Sequence, residues 1–255
     1  MNIEKNHKKV SRDYTILFYH VDQKNDLSIA SLFNFYSEIA LFHTIQAGFD
    51  FNYLDKNNLK WILYRMNIKV SRHPRLNDNI RVSTWGHNII KFNAFRKFEM
   101  TDDNGAILSS GQSTWIMVDA QSMRPVRIPD EMFEGYAIER NNKDRFEIEA
   151  LEAPLKPVFQ KSFSVNYADL DYNQHATAAR YADWALEAIP VEVRTKYDLS
   201  ELCVNYFREL KYGEPVESVC SPDEENGVKI FHHGIFSQDE KPSTLLKSRW
   251  VMRSR

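Results

Sequence analysis

Apolar and polar residues follow two rhythms along this chain, one with helical spacing and one with strand-like spacing. From Ser28 to Ala47, apolar residues recur almost all round a helical wheel, which is typical of a helix buried on most sides. Ser28 is a residue type that begins helices, and Gly48 stands where a glycine commonly ends them. The pattern therefore predicts a long buried helix, preceded by a β-rich run at Tyr14–Tyr19.

Four stretches with strand-like alternation follow this helix. They are Trp61–Val70, Asn79–Trp85, Asn93–Met100 and Ile107–Val118. The last two flank Asp102-Asp103-Asn104-Gly105, which is the strongest hairpin signal in the chain. One helix followed by several antiparallel strands predicts an α+β arrangement, in which a curved sheet wraps the helix.

The second half of the chain repeats this order of elements. Asp171 lies 149 positions after Asp22, and the same offset places Thr177 on Ser28. It also places Trp184 on Phe35 and Glu187 on Glu38. Near the end of each half, Ser-Thr-Trp-Ile-Met at 113–117 matches Ser-Arg-Trp-Val-Met at 248–252. We therefore predict an internal duplication, with a first repeat over residues 1–138, a polar linker over 139–157 and a second repeat over 158–255.

A second helix is predicted over residues 177–189. Tyr181, Trp184, Ala185 and Ala188 fall on one face of it, Thr177 is a plausible N-cap, and Pro190 stops it. Backbone N–H groups at the start of such a helix favour a nearby negative charge. The residues directly ahead of this helix are therefore candidates for chemistry.

Asp171, Asn173 and His175 occur at every second position ahead of the predicted helix, and an extended chain would point them the same way. The matching positions of the first half hold Asp22, Lys24 and Asp26, so the amide and the imidazole are missing there. This asymmetry favours a function in the second half. The plain alternative is a turn or solvated loop, which Asp and Asn favour in their own right.

Composition excludes several classes of protein. A chain of 255 residues with 43% hydrophobic residues can bury a sizeable core, and a net charge of −2 does not favour nucleic-acid binding. No segment is apolar enough to span a membrane, and the N-terminus has no secretory signal. Cys203 and Cys220 lack zinc or disulfide spacing, which fits a cytoplasmic location. We predict no cofactor and no metal, since the adjacent His232 and His233 would face opposite ways on a strand.

The sequence resembles the fatty acyl-ACP thioesterases, a family built from two fused hotdog domains. The resemblance covers nearly the whole chain and is most specific at Arg124-Pro-Val-Arg-Ile-Pro129 and Leu170-Asp-Tyr-Asn-Gln-His175. It implies a tandem double-hotdog fold that hydrolyses fatty acyl-ACP. It also implies that Asp171, Asn173 and His175 are catalytic, joined by Glu209 from a following strand.

Two departures from the family pattern bear on mechanism. Leu210 follows Glu209 where plant members have a cysteine, which argues against a cysteine nucleophile and leaves Cys203 as a small core residue. Ala176-Thr-Ala178 stands where the family usually has Val-Asn-Asn, which bears on the helix start and on catalytic efficiency.

Hydrolysis without a thiol requires a carboxylate that deprotonates water or attacks the thioester directly. We assign this role to Asp171, with Asn173 orienting the carbonyl or the carboxylate and His175 with Glu209 handling the hydrolytic water. Helix N–H groups would stabilise the oxyanion. The plain alternative for Glu209 is a solvated charge at a strand edge.

The predicted partner is an acyl carrier protein, which presents the acyl group on a phosphopantetheine arm. Alternatives are an acyl-CoA hydrolase, a hotdog dehydratase or hydratase, and a non-catalytic acyl-binding protein, and a homodimer stays open. The first repeat is predicted to hold the acyl chain through Phe33, Phe35, Ile39, Phe42 and Ile45. Candidate cations for docking the acidic carrier are Arg72, Arg75, Lys91, Arg96, Lys97, Arg124 and Arg127.

Overall fold

A computed structural model describes residues 9–238 and 241–253, which form two long helices and one large antiparallel sheet. Ten strands make the sheet within this part of the chain, in the order β1-β3-β4-β5-β2-β7-β10-β9-β8-β6. The strands are β1 Val10–Thr15, β2 Leu59–Val70, β3 Asn79–Ile90, β4 Asn93–Asp102, β5 Ile107–Asp119, β6 Phe159–Ser164, β7 Tyr197–Tyr206, β8 Pro215–Glu225, β9 Val228–Phe236 and β10 Thr244–Met252. The helices are α1 Ile29–Gln46, α2 Phe51–Lys56, α3 Glu131–Gly135, α4 Ala178–Glu187 and α5 Val191–Lys196. None of these helices has the length and apolar character needed to cross a bilayer.

The sheet consists of two five-stranded halves that meet at one seam. Strands β1 to β5 surround α1, strands β6 to β10 surround α4, and the two helices contact each other. At the seam, β2 pairs with β7 from Arg65↔Asn205 to Lys69↔Glu201. The predicted α+β arrangement of two helix-and-sheet repeats is therefore confirmed, with the two sheets fused edge to edge.

Helix α1 begins and ends as its sequence predicts. The Ser28 hydroxyl accepts a hydrogen bond from the Ser31 N–H at 3.1 Å, and Gly48 has φ +90°, a conformation that glycine adopts without strain. The helix is not buried all round, however. Leu41 and Ile45 are 39% and 45% exposed, because α1 packs on the sheet and on α4 and its third side meets solvent.

The same local contacts recur in both repeats. The Trp115 indole N–H donates to the Ser113 hydroxyl at 2.8 Å, and Trp250 donates to Ser248 at 2.9 Å, at the predicted offset of 135. On the helices, Glu38 contacts Arg12 and Glu187 contacts Lys161, each at 3.0 Å. These repeated contacts agree with an internal duplication.

The first predicted strand is misplaced. Strand β1 covers Val10–Thr15, whereas Phe18–His20 forms a 3₁₀ turn. After its last pair with β3, at Thr15↔Asn79, the chain leaves the sheet and Phe18 and Tyr19 become exposed. The run of β-forming residues therefore does not mark a strand here, because pairing with β3 decides where β1 lies.

The predicted linker contains no helix or strand, yet it is held against the seam of the sheet. The carbonyl of Ile148 accepts from the Arg65 guanidinium at 3.0 Å, and the carbonyl of Glu149 accepts from the Asn205 amide at 3.0 Å. Asn205 also accepts from the Leu151 N–H at 3.0 Å. The segment therefore crosses the β2–β7 junction, and its boundaries at 139 and 157 stay a prediction.

Candidate functional site

The polar string ahead of α4 forms a closed loop, so the predicted extended conformation is wrong. The Asp171 N–H donates to the His175 carbonyl at 2.8 Å, and Gln174 adopts φ +64°. The Asp171 carboxylate oxygen Oδ1 accepts from the backbone N–H groups of Asn173 and His175, at 2.8 and 3.2 Å. This Asx-type bonding folds the string back on itself, so the three side chains do not form a row.

The first repeat builds the same loop. Oδ1 of Asp22 accepts from the backbone N–H groups of Lys24 and Asp26, at 2.8 and 3.3 Å, and Asn25 has φ +63°. The aspartate thus shapes the loop in both repeats. The difference between the repeats lies in the next two side chains, which in the second repeat are Asn173 and His175.

His175 meets Glu209 at this loop. His175 Nδ1 lies 3.1 Å from Glu209 Oε2, and the side chains are 17% and 38% exposed. The family resemblance implied that Glu209 lies on a strand. In the structure it lies three residues after the end of β7. The Ala176 N–H donates to the Leu210 carbonyl at 2.8 Å, and this bond holds the two segments together. Glu209 is therefore one half of a carboxylate–imidazole pair, not a solvated strand-edge charge.

The matching place in the first repeat has no such pair. There the Leu27 N–H donates to the Pro74 carbonyl at 2.7 Å, which places His73 where Glu209 stands in the second repeat. His73 Nε2 lies 3.0 Å from the Leu199 carbonyl, and the buried Asp26 pairs with Arg253 at 2.8 Å. The first-repeat loop is thus tied into the fold by these contacts.

Two residues of the first repeat reach the site, and no sequence pattern predicts either of them. Lys60, at the start of β2, places its ammonium group 3.1 Å from Glu209 Oε2. Phe51, at the start of α2, packs its ring against that of Tyr172 in the site loop, with centroids 5.0 Å apart. A lysine at the start of a strand and an aromatic residue at the start of a helix have no sequence signature that points to a site. Only the packing of the two repeats reveals these contacts.

Helix α4 begins directly after the site loop, and its N-terminus carries no side-chain cap. Thr177 has the extended backbone of an N-cap residue, but its hydroxyl makes no capping hydrogen bond. Helix α1 differs, since Ser28 caps it. The Arg180 N–H donates to the Thr177 carbonyl at 2.9 Å. The Thr177 hydroxyl leaves the N–H groups of Ala178 and Ala179, at the first two positions of α4, without a side-chain cap. The helix ends at Glu187, three residues before Pro190, which is the N-cap of α5.

The cysteines lie in the core. Cys203 is buried on β7, and this burial, with the nearby Glu149 and Glu201 carboxylates, raises the pKa of its thiol to about 12. Burial also raises the pKa of the Cys220 thiol to about 12. A thiol with such a pKa is almost entirely protonated at neutral pH, so neither cysteine is an effective nucleophile. The prediction that Cys203 is a core residue is confirmed.

Several of the cations predicted to dock a carrier are already engaged. Arg96 is buried and lies 2.9 Å from His43 Nδ1, so its assignment to a docking surface is wrong. Arg72 pairs with Asp102 at 2.9 Å, and Arg75 with Asp26 at 3.4 Å. Arg127 has a side chain that is 83% exposed.

Two fused helix-and-sheet repeats, with a carboxylate–imidazole pair where they meet, define a double-hotdog protein. The sequence matches the acyl-ACP thioesterase N-terminal domain over residues 7–136 and the acyl-ACP thioesterase C-terminal domain over residues 152–252. The chain therefore belongs to the acyl-ACP thioesterase family, as the sequence resemblance implied.

Relatives and solved structures agree with this membership. A chloroplastic palmitoyl-acyl carrier protein thioesterase of Cuphea hookeriana is 28% identical over 230 residues, covering 85% of this chain and 55% of that protein. A chloroplastic oleoyl-acyl carrier protein thioesterase of Coriandrum sativum is 26% identical over 235 residues, covering 85% of this chain and 63% of that protein. The chain thus spans little more than half the length of these relatives.

Several solved structures share the fold, including those of two thioesterases. An acyl-ACP thioesterase from Bacteroides thetaiotaomicron superposes with a TM-score of 0.85 at 21% identity, covering 97% of this chain and all of that one. The 12:0-ACP thioesterase from Umbellularia californica also gives 0.85 at 21% identity, covering 97% of this chain and 95% of that one. At this identity they establish the double-hotdog architecture.

Proposed function

We propose that this chain hydrolyses the thioester of a fatty acyl group carried by an acyl carrier protein, releasing a fatty acid and the free carrier thiol. Family membership gives the reaction class. The observation that carries the proposal is the His175–Glu209 pair at 3.1 Å, which lies beside an uncapped helix start and is missing from the first repeat.

In the proposed mechanism, His175 takes a proton from water. Its Nδ1 lies 3.1 Å from Glu209 Oε2 without hydrogen-bond geometry. A proton placed on Nδ1, towards the carboxylate, would leave Nε2 as the base. The water oxygen bonds to the thioester carbonyl carbon, and the carbon–sulfur bond then breaks. The imidazolium returns its proton to the leaving sulfur of the phosphopantetheine arm. Glu209 orients the ring and stabilises its positive charge during the reaction.

The oxyanion that forms during attack requires hydrogen-bond donors. We assign this role to the first N–H groups of α4, which Thr177 leaves uncapped. Asn173, exposed in the same loop, is assigned to orient the substrate carbonyl.

Asp171 remains a candidate base or nucleophile, but its surroundings favour a second role. Oδ1 accepts two backbone hydrogen bonds, and Oδ2 lies 3.5 Å from the Asn173 amide nitrogen. Asp22 accepts the equivalent backbone bonds without any pair like His175–Glu209 nearby. We therefore propose that Asp171 shapes the loop that presents His175, and that His175 takes the proton from water.

The carrier is part of the proposal, with coenzyme A as the alternative. Val118 pairs with Lys60 on one side and bridges to Pro125 on the other, so the Arg124–Arg127 segment lies about 10 Å from Lys60, two strand spacings away. Exposed cations at this end of the sheet suit an acidic partner.

A cytoplasmic location is also part of the proposal, supported by two buried, free cysteines. The proposed function does not require a homodimer.

The test is release of free thiol from acyl-ACPs of different chain lengths, followed with a thiol reagent. The wild-type chain should release thiol, and His175→Ala should lower kcat by about 10²-fold or more, the scale of losing a general base. His232→Ala is the matched control, because it also removes an imidazole near a carboxylate, 3.8 Å from Asp223, away from the site. No release from any acyl-ACP or acyl-CoA would reject the hydrolase and favour an acyl-binding protein.

A further inference from the structure

Strand β2 extends past the end of the seam. Its pairing with β7 begins at Arg65↔Asn205, whereas its pairing with β5 continues to Leu59↔Asp119. The chain that follows β7 leaves the sheet after Tyr206 and carries Glu209 beside the unpaired edge of β2. Lys60 on this overhang therefore faces the second repeat although it belongs to the first.

Lys60 and His175 contact the same oxygen atom. Each of their nitrogens, Nζ and Nδ1, lies 3.1 Å from Glu209 Oε2, so the two nitrogens are at most 6.2 Å apart. The Lys60 side chain is only 21% exposed. Partial burial makes the contact stronger and less sensitive to salt than an ordinary surface ion pair.

We propose that Lys60 is a positioning residue of the hydrolytic site, through which the first repeat holds the Glu209 carboxylate in place for His175. This inference rests on the proposed function. It adds a residue that lies 149 positions away from Glu209 in the sequence and in the other repeat.

The ammonium group has two effects on the pair. It holds Glu209 Oε2, the oxygen that also lies 3.1 Å from His175 Nδ1, and so restricts the carboxylate to one orientation. It also places a positive charge close to the ring that takes a proton from water in the proposed mechanism.

Other groups around Glu209 do not replace this cation. Tyr181 of α4 accepts from the Leu210 N–H at 2.7 Å, and burial raises the pKa of its hydroxyl, so it stays neutral. Arg208 lies 3.5 Å from Glu214, and Asp171 is bound by its own loop. Lys211 neighbours His175 through a backbone bridge. Within the described residues, Lys60 is the lysine or arginine whose side chain contacts Glu209.

The experiment compares Lys60→Met and Lys60→Arg with Lys24→Met. Lys24 is a matched control, because it is a lysine of the first repeat that also forms a partly buried ion pair with the second repeat, with Asp198 at 3.2 Å. Both kcat and KM are measured against pH with an acyl-ACP and with a small uncharged thioester, which separates positioning from carrier docking. The NMR titration of the His175 ring is followed in parallel.

For Lys60→Met we expect kcat to fall about 10-fold with both substrates while KM changes little. This loss is smaller than the loss of about 10²-fold expected on removing a general base, because Lys60 acts only through Glu209. The acid limb of the kcat/KM profile should move to higher pH, because a positive charge close to the site is lost. Lys60→Arg should restore most of the rate, and Lys24→Met should resemble the wild type.

Identical pH profiles for Lys60→Met and Lys24→Met would overturn the inference. Failure of the proposed function gives a different result. If the wild-type chain hydrolyses no thioester, the NMR titration still tests Lys60, and a His175 titration that Lys60→Met leaves unchanged would reject the positioning role.

Discussion

At the scale of single residues, two side chains separate the repeats at otherwise equivalent loops. Asp22 and Asp171 accept the same pair of backbone hydrogen bonds, so this bonding shapes the loop in both repeats. Histidine at position 175, where the first repeat has Asp26, supplies an imidazole beside Glu209. We therefore propose His175 with Glu209 as the pair that distinguishes the second repeat.

The role of Asp171 can be resolved by comparing two substitutions. Asp171→Ala should lower kcat by about 10²-fold or more, because the loop that presents His175 loses its internal acceptor. Asp171→Asn retains an oxygen that can accept the two backbone N–H groups, so it should keep kcat within about 10-fold of wild type. Single-turnover hydrolysis of acyl-ACP by both variants measures this.

Asp22→Ala is the control for that comparison, since it removes the same backbone bonds from the first repeat and should leave kcat near wild type. Inactivation by Asp171→Asn as severe as by Asp171→Ala would assign the base or nucleophile role to Asp171 itself.

At the scale of elements, α1 fills the first-repeat core with aromatic residues. The Tyr36 ring stacks on Phe98 with centroids 4.8 Å apart, and its hydroxyl is hydrogen-bonded to Ser109. Gly111 lies beneath this ring, and a Cβ there would come within 3.0 Å of it. Phe33 and Ile39 are also fully buried, whereas Ile45 faces solvent. The prediction that this helix holds an acyl chain therefore concerns the residues on its buried side, and Ile45 does not lie on that side.

If the first repeat holds the acyl chain, Phe33→Leu and Ile39→Val should shift hydrolysis toward longer acyl-ACPs while kcat on the preferred substrate stays within a few-fold. The physical reason is the added volume, and an Ile→Val change costs only about 0.5–1.5 kcal/mol of stability. Ile45→Val, on the exposed side of the same helix, is the control. A product profile that is the same for all three variants would count against the assignment.

The buried His233 of β9 predicts how the stability of the fold depends on pH. His233 is buried on β9, and desolvation lowers the pKa of its imidazole to about 3, with the neighbouring His232 as a smaller cause. Below pH ~6.5 the unfolded chain binds this proton and the folded chain does not. The neutral histidine therefore contributes stability above about pH 6.5, and this contribution is lost as the pH falls toward 3.

Urea unfolding at pH 7 and pH 5 measures this effect. One buried neutral histidine should lower the free energy of unfolding of the wild type by about 2 kcal/mol between pH 7 and pH 5. The free energy changes by about 1.4 kcal/mol for each pH unit below pH ~6.5. His233→Gln should be less stable at pH 7 but should lose correspondingly less on acidification. His232→Gln, on the partly exposed face of the same strand, should lose as much stability between pH 7 and pH 5 as the wild type does. A pH dependence that is unaltered in His233→Gln would contradict the burial argument.

At the scale of the whole molecule, the site belongs to the junction and to neither repeat alone. The loop with His175 and the segment with Glu209 come from the second repeat, whereas Lys60 and Phe51 come from the first. The linker backbone is hydrogen-bonded to Arg65 and Asn205 on the two strands of the seam. Anything that loosens this seam should therefore affect the site.

The carrier prediction also belongs to this scale, since a net charge of −2 gives no overall attraction for an acidic protein. Local docking at Arg124 and Arg127 should make kcat/KM for acyl-ACP fall steeply with added salt, while a small uncharged thioester responds little. Arg124→Glu with Arg127→Glu should reproduce the selective loss for acyl-ACP.

Arg81→Glu is a suitable control for charge, because Arg81 is exposed, pairs with Asp13, and lies at the opposite end of the sheet. Equal salt sensitivity for the two substrates, or no preference for ACP over CoA thioesters, would favour the acyl-CoA hydrolase.

Most of the elements, and their repetition, are predictable from the sequence alone. Ser28 and Gly48 mark the ends of α1, the Asp102–Gly105 hairpin lies where its turn residues predict it, and the matching Ser113 and Ser248 occupy equivalent contacts. These features depend on residues that are close in sequence, so local spacing is enough to reveal them. The resemblance to a family supplied His175 and Glu209 as partners.

The assembly of the candidate site depends on tertiary packing that local sequence patterns do not predict. The conformation of the Asp171–His175 loop depends on which backbone groups the Asp171 carboxylate accepts from, and alternation in the sequence does not contain that choice. The contact of Lys60 with Glu209 depends on the register of β2 against β7 and on the overhang of β2 beyond the seam. The physical reason is that pairing between distant strands is fixed by the packing of the whole core, which brings together residues that no local pattern connects.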